Sequence, residues 1–115
     1  MDEPELHYAL HPLPAGRIHQ PPFGRKRRFH FELWDGPELL AMGWRTTEEH
    51  AERALRTRAA RVAHRLRGLH PLRPEAATAS RPLRHGGIAR VECGAVSCWL
   101  IPRVEASALP ARSAA

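Results

Sequence analysis

Basic side chains crowd into one short stretch of the chain, the GRKRR segment that ends at Arg28, and Arg17 precedes it nearby. A guanidinium group binds a phosphate through paired hydrogen bonds. The segment lies directly before a predicted strand, which favours contact with the phosphates of a nucleic acid. The alternative is a solvated run of charge at the start of a strand. The candidate phosphate contacts are Arg17, Arg25, Lys26, Arg27 and Arg28.

A second candidate site lies on the strand that comes after the basic segment. His30 and Trp34 alternate with apolar residues there, so they share the exposed face with Arg28. An aromatic ring beside basic groups is the usual platform on which single-stranded nucleic acids stack their bases. The alternative is a polar sheet face that carries one half-exposed tryptophan. We include His30 and Trp34 among the predicted nucleic-acid-binding residues.

The net charge of the 115-residue chain is +6, and 17 of its 18 basic residues are arginine. A GC-rich gene explains the choice of arginine over lysine. It does not explain why basic residues outnumber the 12 acidic ones, because aspartate and glutamate are also encoded in such genes. The excess of positive charge therefore favours an anionic partner, either a nucleic acid or an acidic protein surface.

The two cysteines, Cys93 and Cys98, have a C-x4-C spacing across a predicted turn. A structural zinc site needs four pre-aligned ligands, and only His85 lies near this pair. A metal site and a transient cross-strand disulfide stay open as alternatives, but two reduced cysteines are expected. The sequence predicts no metal site and no cofactor.

Motifs that would indicate an enzyme are missing from the sequence. The chain has no GK[ST] phosphate loop, no GxSxG elbow, no HExxH and no separated carboxylate pair within apolar sequence. Its few serines have no evident base beside them. We therefore expect a non-enzymatic protein without catalytic residues.

The elements that must position these residues begin with a predicted hairpin. Strict alternation over about 28–34 places Phe29, Phe31 and Leu33 on one face, as in a half-buried strand. The turn residues Asp35-Gly36-Pro37 come next, and 38–44 alternates again.

A helix over about 47–67 is the best-marked element. Thr46 and Glu49 form a capping box, with Thr47 as the alternative cap, and Gly68 marks the end. One apolar stripe along the helix predicts its buried face. The arginines of the helix project around the whole polar arc, which favours a solvated face over a recognition helix. The stripe comprises Ala51, Leu55, Ala59, Val62 and Leu66, and the arginines are Arg53, Arg56, Arg58, Arg61, Arg65 and Arg67.

The remaining segments complete an α+β prediction. Residues 1–24 are proline-rich and are expected as an extended arm with at most a short strand at 6–10. A connector over 70–86 leads to a second hairpin with strands at about 87–93 and 97–101, and 103–115 is expected as a disordered tail. The predicted domain, 25–102, has two layers: an antiparallel sheet of two β-hairpins packed against one amphipathic helix. The predicted core is Phe29, Phe31, Leu33, Leu55, Val62, Leu66, Val91 and Leu100.

The stretch 29–66 resembles the arm-type DNA-binding domain of tyrosine recombinases. The resemblance rests on the DG turn, on a second strand that ends in Gly43-Trp44, and on the Thr46-Thr47-Glu48-Glu49 start of the helix. It implies a small antiparallel sheet on one helix, with a sheet face that reads DNA. The second hairpin departs from this pattern, and the chain has no room for the family's core-binding and catalytic domains.

The sequence leads to two expected functions. The first is a small basic accessory protein that binds nucleic acid through its arginine-rich arm, with DNA expected in preference to RNA. The alternative is a protein-binding inhibitor or adaptor of phage or mobile-element type, because tryptophan and arginine are enriched at interface hot spots.

No apolar run of about 20 residues predicts a membrane span, and the acidic start is unlike a secretory signal, so a cytoplasmic protein is expected. A homodimer is compatible with the sequence.

Overall fold

The helix α1 runs over Glu48–Leu66 in the computed structural model, which describes residues 3–13, 28–70 and 73–103. Its N-cap is Thr47, whose hydroxyl oxygen accepts a hydrogen bond from the backbone N–H of His50 at 3.1 Å. Thr47, the alternative cap predicted from the sequence, is therefore confirmed as the N-cap in place of Thr46. This bond satisfies one of the backbone donors that a helix start leaves without a partner.

The end of α1 is closed as the sequence predicts. Gly68 has a φ of 72°, and the backbone N–H of Leu69 donates to the carbonyl of His64 at 2.8 Å. The N–H of Gly68 donates to the carbonyl of Arg65 at 2.9 Å, which completes a Schellman motif. The part of the chain that the structure describes contains no helix with the length and hydrophobicity of a transmembrane span.

The first predicted hairpin is present as strands β2 (Arg28–Asp35) and β3 (Glu38–Arg45). Phe31 and Leu33 are buried under α1, and Phe29 packs partly buried beside them. The alternation in β2 is thus confirmed. The turn between the strands contains Gly36 with a φ of 58°, a conformation that glycine adopts without steric cost.

The second hairpin comprises β5 (Ala89–Cys93) and β6 (Val96–Pro102), and the two-residue strand β4 (Thr78–Ala79) pairs with β5. Gly94 makes its turn with a φ of 63°. Residues 87 and 88, predicted as strand, precede β5, and the pairing of β6 begins one residue earlier than predicted. The hairpin itself is confirmed.

The first strand, β1 (Glu5–Leu13), changes the predicted arrangement of the sheet. It pairs antiparallel with β2 and parallel with β6, so the strand order is β3-β2-β1-β6-β5-β4. The two hairpins do not adjoin, and part of the predicted N-terminal arm is a central strand. Pro12 is tolerated because β1 pairs with β6 only over Glu5–Tyr8, which leaves the proline with one neighbouring strand. Residues 1, 2 and 14–24 of that arm lie outside the described ranges.

The core forms between α1 and one face of this six-stranded sheet, which confirms the α+β class. Five of the predicted core residues are buried, namely Phe31, Leu33, Leu55, Val91 and Leu100. Phe29 and Val62 are partly buried against them. Leu66 was predicted in the core but is 56 % exposed. In the last two turns the buried face of α1 shifts to small side chains and one histidine: Ala59, Ala60, Ala63 and His64.

A buried carboxylate fixes α1 to the connector before β5. Glu52 is 3 % exposed and accepts hydrogen bonds from the backbone N–H and the guanidinium of Arg84, the latter at 3.0 Å. The same connector is also bonded to β1, because the hydroxyl of Tyr8 donates a hydrogen bond to the carbonyl of Gly87 at 2.8 Å. Burial raises the pKa of Tyr8, so the phenol stays protonated and keeps this donor.

The central position of β1 predicts a large stability cost for truncating its buried side chain. We expect Leu6→Ala to lower the free energy of unfolding by about 2–5 kcal/mol, because Leu6 is fully buried. Glu5→Ala, at an exposed position of the same strand, is the matched control and should change it by less than about 0.5 kcal/mol. Urea unfolding followed by circular dichroism measures both. Equal effects of the two substitutions would contradict the central position of β1.

Candidate functional site

Three of the predicted nucleic-acid-binding residues lie within the described residues, and they share one face of the sheet. Arg28, His30 and Trp34 alternate along β2 with the buried Phe31 and Leu33, so they point away from α1. We call this side of the sheet the open face. Four further predicted contacts lie outside the described ranges: Arg17, Arg25, Lys26 and Arg27.

His30 and Trp34 are held by a carboxylate between them. Glu32 accepts hydrogen bonds from Nε2 of His30 at 2.9 Å and from Nε1 of Trp34 at 2.8 Å. Burial alone would raise the pKa of Glu32, but these hydrogen bonds outweigh it and the pKa is lowered. The guanidinium of Arg103 lies over the Trp34 ring, 3.7 Å from its centroid. The polar edge and one face of Trp34 are thus engaged within the protein.

A different tryptophan is the more accessible aromatic on the open face. Trp44 of β3 pairs in register with His30 and is 46 % exposed. The guanidinium of Arg28 lies over its ring, 4.4 Å from the centroid. Trp44 is absent from the site residues predicted from the sequence, although its alternation with Met42 was a usable signal. Only the hairpin register shows that Trp44 lies beside Arg28.

The histidines and cysteines do not assemble into a metal site within the parts of the chain that the structure describes. The rings of His11 and His30 lie 5.2 Å apart on the open face. Cys93 and Cys98 are both free thiols. Burial raises the pKa of Cys98 to about 12, so this side chain stays a neutral thiol in the core.

A cleft of about 380 Å³ lies between α1 and the end of β3. Arg45 comes from the strand, and the helical residues that line the cleft recur at spacings of three and four, which places them on one side of α1. We call it the arginine cleft. It is lined by Arg45, His50, Arg53, Ala54, Thr57, Arg58 and Arg61.

The arginines of the cleft form no ion pair with an acidic side chain among the described residues. Among residues 3–13, 28–70 and 73–103, the ion pairs of arginine involve only Arg84 and Arg90. Arg45 is held in place, because its Nη1 donates to the carbonyl of Trp44 at 2.7 Å. Like charges that converge on one cavity repel each other, and an anion in the cavity would relieve that repulsion.

This grouping differs from the scattered arginines that the helical projection predicts. The cleft is lined by three arginines of the helix, Arg53, Arg58 and Arg61. Arg56 does not line it, because its Nε donates a hydrogen bond to the carbonyl of Ala77 at 3.3 Å. The projection missed the cleft because one wall is Arg45, a residue of another element. Only the packing of β3 beside α1 brings these side chains together.

The role of Trp34 in holding Glu32 is open to a direct test. Trp34→Phe keeps an aromatic ring but removes the N–H donor, so we expect the pKa of Glu32 to rise. Trp44→Phe is the control, since Trp44 does not contact Glu32 through a hydrogen bond, and it should leave that pKa unchanged. Carbon-13 NMR titration of the Glu32 carboxyl measures the shift.

The same pKa sets the sign of a pH effect on stability. A carboxylate with a lowered folded pKa stabilises the fold above its unfolded pKa, and the contribution is lost as the pH falls through the folded value. Trp34→Phe should therefore narrow the difference in unfolding free energy between neutral and acid solution. An unchanged Glu32 titration in this variant would contradict the assigned hydrogen bond.

Comparisons with protein-family models, curated proteins and solved structures found no match to this chain. The resemblance of residues 29–66 to the arm-type domain of tyrosine recombinases therefore stays a prediction.

Proposed function

We propose that this protein is a non-enzymatic nucleic-acid-binding accessory protein. The observation that carries the proposal is the arginine cleft, where four arginines from two elements line one cavity without carboxylate partners among the described residues. Guanidinium groups bind phosphates with paired hydrogen bonds, and each phosphate neutralised releases condensed counterions. A net charge of +6 adds long-range attraction to the polyanion.

The basic arm is proposed as the second part of the same contact surface. Its candidate residues Arg25, Lys26 and Arg27 directly precede Arg28 in the sequence, with Arg17 further upstream. The chain enters β2 at Arg28, and the next residue, Phe29, pairs with Arg45 of the cleft. Arg28, the residue that follows the arm in the sequence, therefore lies at the end of β2 near Arg45, which supports the proposal that arm and cleft contact the same polyanion. The resemblance to tyrosine recombinase arm domains favours DNA over RNA.

A protein-binding inhibitor of phage or mobile-element type is the second candidate, and one observation favours it. Leu39, Met42 and Trp44 are exposed along β3, which is an edge strand of the sheet. Exposed apolar side chains at a sheet edge suit a protein partner. Under this proposal the basic residues only accelerate association, so replacing them would leave the dissociation rate unchanged.

The proposed function is tested by fluorescence anisotropy of labelled nucleic acid at several salt concentrations. We expect Arg53→Gln combined with Arg58→Gln to weaken binding and to reduce the slope of log K against log salt by about 1 for each lost phosphate contact. Arg65→Gln combined with Arg67→Gln removes the same charge from exposed positions outside the cleft, so it is the matched control.

The control separates a specific cleft from general attraction. If both double variants weaken binding equally, net charge alone is responsible and the cleft is not the site. If the wild-type protein binds no nucleic acid near physiological salt, the proposed function is wrong. An Arg25→Ala, Lys26→Ala, Arg27→Ala variant tests the arm in the same assay, and we expect it to lower both affinity and salt slope.

A further inference from the structure

The geometry points to single-stranded nucleic acid as the ligand, with one base stacked on Trp44 and the adjoining phosphates in the arginine cleft. This inference rests on the proposed function and deepens it by naming the class of nucleic acid. The evidence is the position of one tryptophan beside the cleft, on a strand at the free edge of the sheet.

Trp44 and Arg45 are consecutive residues of β3, so their side chains point to opposite faces of the sheet. Arg45 lines the arginine cleft, and Trp44 lies on the open face. β3 is the last strand on its side of the sheet, so no described strand separates the two faces at this edge. A flexible strand that crosses the edge can place a phosphate on one side and a base on the other.

Trp44 has exposed ring surface on which a base can stack, beside the Arg28 guanidinium or in its place. It is 46 % exposed, although the guanidinium of Arg28 lies 4.4 Å from its ring centroid. Arginine beside an aromatic ring adds a cation–π contribution to stacking on single strands. Met42, on the same face two residues away, is 57 % exposed and extends the apolar surface.

The other tryptophans of the open face are less suited to this role. Trp34 is less exposed than Trp44, and its N–H is bound to Glu32. Each ring has an arginine over it, but Arg103 lies closer to Trp34, at 3.7 Å, than Arg28 does to Trp44, at 4.4 Å. Trp99 lies on β6, three strands from β3, which is about 14 Å at the usual spacing between strands. Only Trp44 therefore combines an accessible ring with a position next to the arginine cleft.

A duplex cannot use this arrangement fully. Its bases are stacked on each other inside the helix, so a tryptophan on a flat sheet edge does not reach an unpaired base face. The combination of a basic groove with an adjacent aromatic ring is characteristic of proteins that bind single strands. Duplex DNA would engage the arginines alone and would bind through its phosphates.

The test compares labelled oligothymidylate of about 16 nucleotides, within the site size of small single-strand binders, with an abasic oligomer and a duplex of the same length. We expect Trp44→Ala to weaken binding of oligothymidylate about tenfold, as loss of one base–aromatic stack does. It should leave the abasic oligomer and the duplex unaffected. Trp44→Phe should restore most of the affinity, and Trp99→Ala is the matched control that should bind as wild type does. Oligouridylate, measured in parallel, should show the same loss in Trp44→Ala if RNA is the ligand.

The outcomes separate this inference from the proposed function. If Trp44→Ala binds oligothymidylate and oligouridylate as tightly as wild type while the cleft variants bind weakly, the function stands and base stacking is overturned. Equal weakening for the abasic oligomer, or duplex binding as tight as single-strand binding, also overturns it. If the cleft variants have no effect either, both proposals fail. Circular dichroism checks that Trp44→Ala keeps its fold. If it does not, Trp44→Leu, which keeps a large apolar side chain but has no ring, takes its place and should show the same loss for oligothymidylate.

Discussion

The rest of the structure depends on β1 as a strand that pairs on both sides. It joins the β2–β3 hairpin to the β4–β5–β6 unit, and without it the sheet would divide into these two parts, of which the isolated β2–β3 hairpin would be of marginal stability. Leu6 and Tyr8 extend the apolar face of the sheet across its middle, so α1 has a continuous surface to cover. An ion pair between Glu3, just before this strand, and Arg90 also holds the start of β1 against β5. Glu3 accepts a hydrogen bond from Arg90 of β5 at 2.6 Å, and this contact lowers the pKa of Glu3 to about 2.

The strand order decides where the candidate site lies. Because β1 occupies the middle, β3 is left at the edge, and its last residue, Arg45, is joined to α1 through the short link Thr46-Thr47. So short a link forces the first turns of the helix to lie beside the end of β3. His50 and Arg53 therefore face Arg45 across a cleft, while Trp44 remains on the other side of the same strand. One short connection thus brings a basic cavity and an aromatic ring to the same edge.

Local patterns predicted much of the fold, but contacts between distant elements could not be predicted. The alternation in β2, the start and stop of α1 and both hairpins are set by neighbouring residues, so they were visible in the sequence. The prolines in and beside β1 led the sequence analysis to expect an extended arm instead of a central strand. Whether a strand can contain a proline depends on which strands pair with it at that position, and the sequence does not show this. For the candidate site, Arg28, His30 and Trp34 were correctly placed on one sheet face. Trp44 required the hairpin register, and the arginine cleft required the packing of β3 against α1.

The positions of the charges bear on the origin of the arginine excess. Codon bias can set the number of arginines in a chain, but it has no means of sorting them by their surroundings. Among the described residues, Glu52 pairs with Arg84, while Glu3 and Glu92 both pair with Arg90. The four arginines of the cleft have no such partner among the described residues, which is also true of Arg65 and Arg67, but they lie together at one cavity. Unpaired like charges in one cavity cost stability, and a sequence under no demand for anion binding would gain by placing a carboxylate there. The grouping of four arginines at one cavity therefore favours selection for an anionic ligand at the edge formed by β3 and α1.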